Sequence, residues 1–162
     1  MRLNQNFILA SLVLAAIVLV FGCNRRNPAD TKEKMISDET NRAVRAVLDE
    51  QVDAWNRGDI DGFMKGYARS DETSFISGET LTRGWQTVLD RYKKSYDSRE
   101  KMGTLAFTEL EVKTISDDSA VANGRWQLTR TGDVPHGRFT LIFRRTAEGW
   151  RIVHDHTSSA GS

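Results

Sequence analysis

Residues 104–157 read TLAFTELEVKTISDDSAVANGRWQLTRTGDVPHGRFTLIFRRTAEGWRIVHDHT, and along them apolar and polar side chains alternate with a period of two. Three clusters of turn residues interrupt the alternation: Asp117-Asp118, Gly132 with Pro135, and Glu148-Gly149. Alternation bounded by such residues predicts strands. Four are expected, at Thr104–Ile115, Ser119–Arg130, Gly137–Thr146 and Trp150–Thr157. Their short connections make them an antiparallel meander.

Upstream the period is longer. Val44, Val47, Leu48, Val52 and Trp55 recur at spacings of three and four, so Ser37 to Arg57 reads as a helix with one apolar stripe. Ser37 or Asp38 caps its start, and Gly58 supplies the left-handed residue that ends it. Asp59 then caps a shorter helix striped by Ile60, Phe63, Met64 and Tyr67. Gly62 and Gly66 weaken that helix, which suggests that something packs closely against it. Glu72–Ser77 reads as a short strand turning at Gly78-Glu79 into Leu81-Thr82, and a third helix runs from Gly84 to Tyr96. Three helices followed by a meander form an α+β pattern. A sheet curved over helices encloses a hollow, where ligands commonly bind.

Residues 24–36 (NRRNPADTKEKMI) are polar, lack an apolar period, and read as a flexible tether. Before them, Phe7 to Phe21 carries fifteen residues without a charge, Arg2 lies ahead of the run, and the single cysteine, Cys23, follows it. This arrangement describes an export signal. Fifteen apolar residues are few for a permanent span, which takes about 20. Three readings stay open: a lipoprotein signal, an uncleaved anchor, and ordinary secretion. Removing residues 1–22 takes only Arg2 from 23 basic and 22 acidic side chains, so the remainder balances at 22 of each. A nucleic-acid partner, which needs a strongly basic face, is not expected. No Gly-rich phosphate loop, nucleophile elbow, metalloprotease helix or paired CxxC occurs, and no cofactor or metal site is implied.

Two resemblances sharpen this outline. Val20-Phe21-Gly22-Cys23 resembles the lipobox of bacterial lipoproteins, implying acylation of Cys23 and a lipid-anchored place in the cell envelope. Asn24 after the cysteine implies the outer membrane, facing the periplasm. Trp55 to Phe63 (WNRGDIDGF), with the closing stretches Gly137–Phe143 and Gly149–Ser158, resembles the SnoaL-like branch of the nuclear-transport-factor-2-like superfamily. The resemblance implies a cone-shaped roll, three N-terminal helices packed on a curved antiparallel sheet, over residues 37–158, with 159–162 as a tail. It also implies a homodimer. Function does not follow from fold, since this superfamily hosts isomerases, dehydratases, hydrolases and members without chemistry. Aligned with its steroid isomerases, the catalytic positions fall at Gln51, near Ser77 and at Thr140, so none of the required acids or tyrosines is retained.

Several side chains remain as candidates. His154 and His156 are two apart on one strand and are expected on the same face as Trp150 and Ile152, and the resemblance implies that this face looks toward the pocket. They could bind a metal with a third ligand, finish the sheet by hydrogen bonding, or, for His156, move a proton as a catalytic acid or base. Arg125, mid-strand, matches the point where kinase association domains of the superfamily place a pocket arginine. That resemblance implies an anion-binding role. The inner faces are expected to carry Trp55, Tyr67, Phe75, Trp85, Tyr92 and Trp126, with Trp55 and Trp85 lining the hollow and Gln51 and Thr140 beside it. If Thr140 looks inward, then Phe139, Leu141 and Phe143 look outward and form a dimer face. Two function classes follow: a ligand-binding domain on a lipid anchor, or a cyclase, dehydratase or isomerase using His156 with Arg125.

Overall fold

A computed structural model describes residues 27–160. The stretch read as an export signal, Cys23 and the last two residues lie outside the described residues. α1 spans Pro28–Asn56 and α2 spans Ile60–Met64; β1 (Ser74–Ser77) and β2 (Thr80–Arg83) follow, then α3 (Trp85–Ser95) and α4 (Arg99–Met102). The meander is β3 (Thr104–Ser116), β4 (Ser119–Thr129), β5 (His136–Thr146) and β6 (Gly149–Ser159). All four predicted strands are present, with ends shifted by one or two residues.

Three differences have local causes. α1 begins nine residues before Ser37, because Asn27 caps it through Ala29 and Pro28 occupies its first turn, a position that needs no donor. Residues 28–36 are therefore helical rather than an irregular tether. α4 is a single turn with no apolar period to announce it, capped by Ser98 accepting from Lys101 N–H. The sheet is also not wholly antiparallel. Its order is β2-β1-β6-β5-β4-β3, and β1 runs parallel to β6 with Ser74 opposite His154.

The helices lie on one face of this sheet. Val44 and Leu48 on α1 are fully buried, as are Phe143 and Ile152 opposite them on the inner sheet face. Gly58, at φ +83°, reverses the chain after α1 as expected. The α1 terminus is then tied to the meander. Asn56 accepts from Leu105 N–H at 2.8 Å and donates to its carbonyl at 3.1 Å. Arg99 donates to the Trp55 carbonyl at 2.9 Å, an oxygen at the helix end that also accepts from Gly58 N–H at 2.8 Å. The second helical segment packs closely on α1: a Cβ at Gly62 in α2 would stand 3.1 Å from the Ala54 Cβ, and one at Gly66, just beyond α2, 2.6 Å from the Gln51 side chain. That close approach is what the two glycines of the second helix pointed to.

The sheet carries three register shifts, one of them between Thr114 and Ser116 at the end of β3. β3 slips register between Thr108 and Glu111, with Glu109 at φ +52°. β6 slips where Ile142 opposes His154 but Phe143 opposes Ile152, leaving Val153 without a partner. An extra residue in one strand shifts the alternation of everything after it.

Candidate functional site

That extra residue decides the site. Trp150 and Ile152 face the core, but beyond Val153 the parity reverses, and Asp155 and Thr157 face inward instead of His154 and His156. His156 is exposed, opposite Thr140 on the outer face. His154 is half-buried there, with Nδ1 2.8 Å from Ser74 Oγ. The expectation that both histidines look into the hollow is therefore overturned. Among the described residues, no group of three His, Cys, Asp or Glu side chains is placed to hold a metal ion.

Arg125 is corrected for the same kind of reason. Its neighbours Gly124 and Trp126 turn inward, so Arg125 lies outward, opposite Arg138. Thr140 is also outward, donating to Asn123 Oδ1 at 2.9 Å. Phe139, Leu141 and Phe143, expected outward, are buried at 5%, 4% and 0% exposure. They fill the core and cannot form a dimer face. Trp85 does not line the cavity either. Its indole donates to the Met64 carbonyl at 3.0 Å, and the Arg69 guanidinium lies 4.4 Å above its ring.

The cavity between sheet and helices holds about 270 Å³. Gln51, Trp55, Tyr67 and Phe75 line it, as the sequence led us to expect, together with Phe63, Tyr92, Phe107, Trp126, Phe139 and Leu141. The aromatic walls hold one another. The Trp55 ring meets Phe63 at 5.2 Å and Tyr96 at 4.7 Å edge-on, and its N–H donates to the Met102 carbonyl at 3.1 Å. Such edge contacts fix ring positions beyond what area burial supplies. Gln51, 2% exposed, commits its amide nitrogen to the Phe63 carbonyl at 3.0 Å.

Asp155 is the one acidic side chain in this lining. It is 3% exposed. Oδ2 accepts from the Tyr67 hydroxyl at 2.7 Å and Oδ1 from the Thr157 hydroxyl at 2.8 Å. Tyr67 reaches it because residues 66–68 run beside β6: Ile152 N–H donates to the Gly66 carbonyl and Ala68 N–H to the Ile152 carbonyl. Burial pushes the Asp155 carboxyl up to about 6, partly opposed by the two hydroxyl donors and by His156. Burial likewise raises Tyr67 and Tyr92 well above the ordinary phenol range. Tyr67 thus remains a hydrogen-bond donor at every physiological pH, while Asp155 gains or loses a proton just below neutrality. A carboxyl so placed can hold a hydroxyl or amine, or exchange a proton with a bound molecule.

Asp155 was not among the residues the sequence singled out. Its signal was an acid in the middle of a strand, next to an apolar core strand, which needs buried partners to exist there. Reading it required knowing the bulge.

A SnoaL-like domain family profile matches residues 44–161. An NTF-2 like protein of unknown function from Shewanella oneidensis MR-1 is 38% identical, over 74% of this chain and 98% of that one, with a TM-score of 0.71. An NTF2-like protein of unknown function from Pseudomonas putida KT2440 is 20% identical over 78% and 90%, with a TM-score of 0.63. A ketosteroid isomerase-like protein from Erwinia carotovora atroseptica SCRI1043 is 21% identical over 75% and 96%, with a TM-score of 0.60. These last two likenesses concern the fold alone. No curated protein matches the chain. With its sequence profile and its helices packed on a curved, unclosed six-stranded sheet, the chain belongs to the SnoaL-like family of the nuclear-transport-factor-2-like superfamily.

Proposed function

We propose that this domain binds a small organic molecule in the aromatic cavity, with a hydroxyl or amine of that molecule donating to Asp155. The supporting observation is the buried Asp155 carboxylate, held by Tyr67 and Thr157 within a lining rich in aromatic side chains. An aromatic enclosure favours a flat apolar body, and one convergent polar group orients it. The direct test is to purify the protein from its host and identify the retained small molecule by mass spectrometry. Asp155→Asn, which still accepts from Tyr67 but carries no charge, should lower retention. Equal retention by the variant would remove Asp155 from the site.

A second reading, an enzyme of the cyclase, dehydratase or isomerase type, draws support from Asp155 rather than His156. A carboxyl titrating at about 6 is a stronger base than an exposed one and still ionised at pH 7.5. Incubating the retained ligand in deuterium oxide tests it. Exchange of a ligand C–H with the wild type and none with Asp155→Asn supports catalysis, and equal rates exclude it.

The reading includes a lipid anchor at Cys23, with the domain in the envelope of a bacterial cell, facing the periplasm from the outer membrane. Its support is the apolar run Phe7–Phe21 ending at Gly22-Cys23. Metabolic labelling with a palmitate analogue should mark the wild type and not Cys23→Ser. A homodimer through the outer sheet face, around the half-exposed Ile142, belongs to the same reading. Light scattering that gives only the monomer mass at micromolar concentration would remove it.

A further inference from the structure

We infer that Arg91 is an anion-binding residue at the mouth of the cavity, so that the ligand is a flat organic anion carrying its charge at the end away from Asp155. The inference rests on the ligand-binding reading above and specifies the class of ligand.

Arg91 projects from α3 into the cavity lining beside Ser77 and Ser95. Two contacts fix its guanidinium. One terminal nitrogen donates to Thr82 Oγ1 at 2.7 Å, and the group lies 4.8 Å from the centre of the Phe75 ring. A guanidinium has five N–H donors, so most of the fork stays unused. Among the described residues, no carboxylate lies within 4.0 Å of it, although Arg130, Arg138 and Arg144 each have one. A half-buried arginine held by a hydroxyl and a ring face, without an acid, is arranged to receive one bidentately.

The polar groups of the cavity are segregated. The Tyr92 hydroxyl stands between the two ends, since Asp155 acts on it more strongly than Arg91 does, while the Tyr96 hydroxyl feels Arg130 and then Arg91. Asp155 and Tyr67 are buried, whereas Arg91, Tyr96 and Ser95 are half-buried or exposed. Phe75 and Tyr92 lie between the two ends: Phe75 is opposite Asp155 in the β1–β6 pairing and carries the Arg91 guanidinium over its ring, and the Tyr92 hydroxyl is 3.5 Å from that of Tyr67. A molecule matching this sequence of groups has a carboxylate or similar anion outermost, a flat apolar body, and a hydrogen-bond donor innermost. The anion-binding arginine is thus on α3, and Arg125 on the outer sheet face is not part of it.

The test uses the full chain in detergent, with micelles alone as the blank, and two probes that share a naphthol body. One is 6-hydroxy-2-naphthoate, the other 2-naphthol. Isothermal titration should show the wild type binding the carboxylate about 10- to 100-fold more tightly, the range expected of hydrogen bonds to a charged group. Arg91→Gln, which keeps a donor for Thr82, should bring the two affinities together by weakening only the carboxylate. Arg125→Gln should change neither. Equal affinity of the two probes for the wild type, or an intact preference in Arg91→Gln, overturns the anion site while leaving the ligand pocket standing. Failure of both probes to bind the folded wild type overturns the pocket reading and this inference with it.

Discussion

The Tyr67 hydroxyl, from the segment that leaves α2, donates to Asp155 Oδ2 on β6 across 88 residues of sequence, at 2.7 Å. This bond ties the helical layer to the innermost polar point of the cavity. Because Tyr67 is a permanent donor, it favours the ionised carboxyl, while burial opposes it more strongly.

The balance makes stability depend on pH. The folded Asp155 carboxyl is raised from 3.8 to about 6, so between those values the folded state holds a proton that the unfolded state has released. Asp155 therefore costs stability progressively as pH rises from about 4 to about 6, and the cost is constant above. Two pKa units correspond to about 3 kcal/mol. Chemical denaturation should find Asp155→Asn more stable than wild type by up to that amount at pH 8, with the gap closing near pH 4. A gap independent of pH would contradict a raised carboxyl.

Tyr67→Phe removes the donor and leaves the ring. The Asp155 carboxyl should then titrate higher than in the wild type, because burial is left less opposed. Carbon-13 NMR of the carboxyl measures the change. The fold should lose about 1 to 2 kcal/mol, the usual cost of an unmade buried bond.

The two faces of β5 predict opposite sensitivities. Phe143→Ala opens the core and should cost about 3 to 5 kcal/mol. Thr140→Ala, on the exposed face, should fall within about 0.5 kcal/mol of wild type. Comparable losses from both variants would contradict the register placing Phe143 inward.

Gly66→Ala would push a Cβ to 2.6 Å from the Gln51 side chain, which is held to the Phe63 carbonyl. Overpacking of this kind should cost about 1 to 3 kcal/mol. Gln51→Ala in the same chain should recover part of that loss, since it removes the obstructing amide. Thermal unfolding of the single and double variants checks both.

His156→Ala removes a charge that lowers the Asp155 pKa from the far side of the sheet. Ligand retention should survive the change, with Asp155 titrating slightly higher. Loss of retention would return His156 to the site.

The periodicities determined the element order and the α+β class, because they report local geometry: 3.6 residues per turn for α1 and α3, two for the meander. Gly58 marked the α1 end for the same local reason. The walls Trp55, Tyr67 and Phe75 were legible because each sits on the buried side of its own element. Membership of the site was not legible at β6, where alternation over eight residues placed His154 and His156 inside. Only the pairing of β6 with β5, and with residues 66–68 on its other edge, placed an unpartnered residue at Val153. A bulge arises from how neighbouring strands fit, so one strand's sequence does not carry it. Everything after Val153 turned over, exchanging two histidines for Asp155. On β4 and β5, the choice of inner face likewise followed tertiary packing, which turned Phe139 onto Phe107 and Trp126 into the cavity lining and left Arg125 half-buried on the outer face.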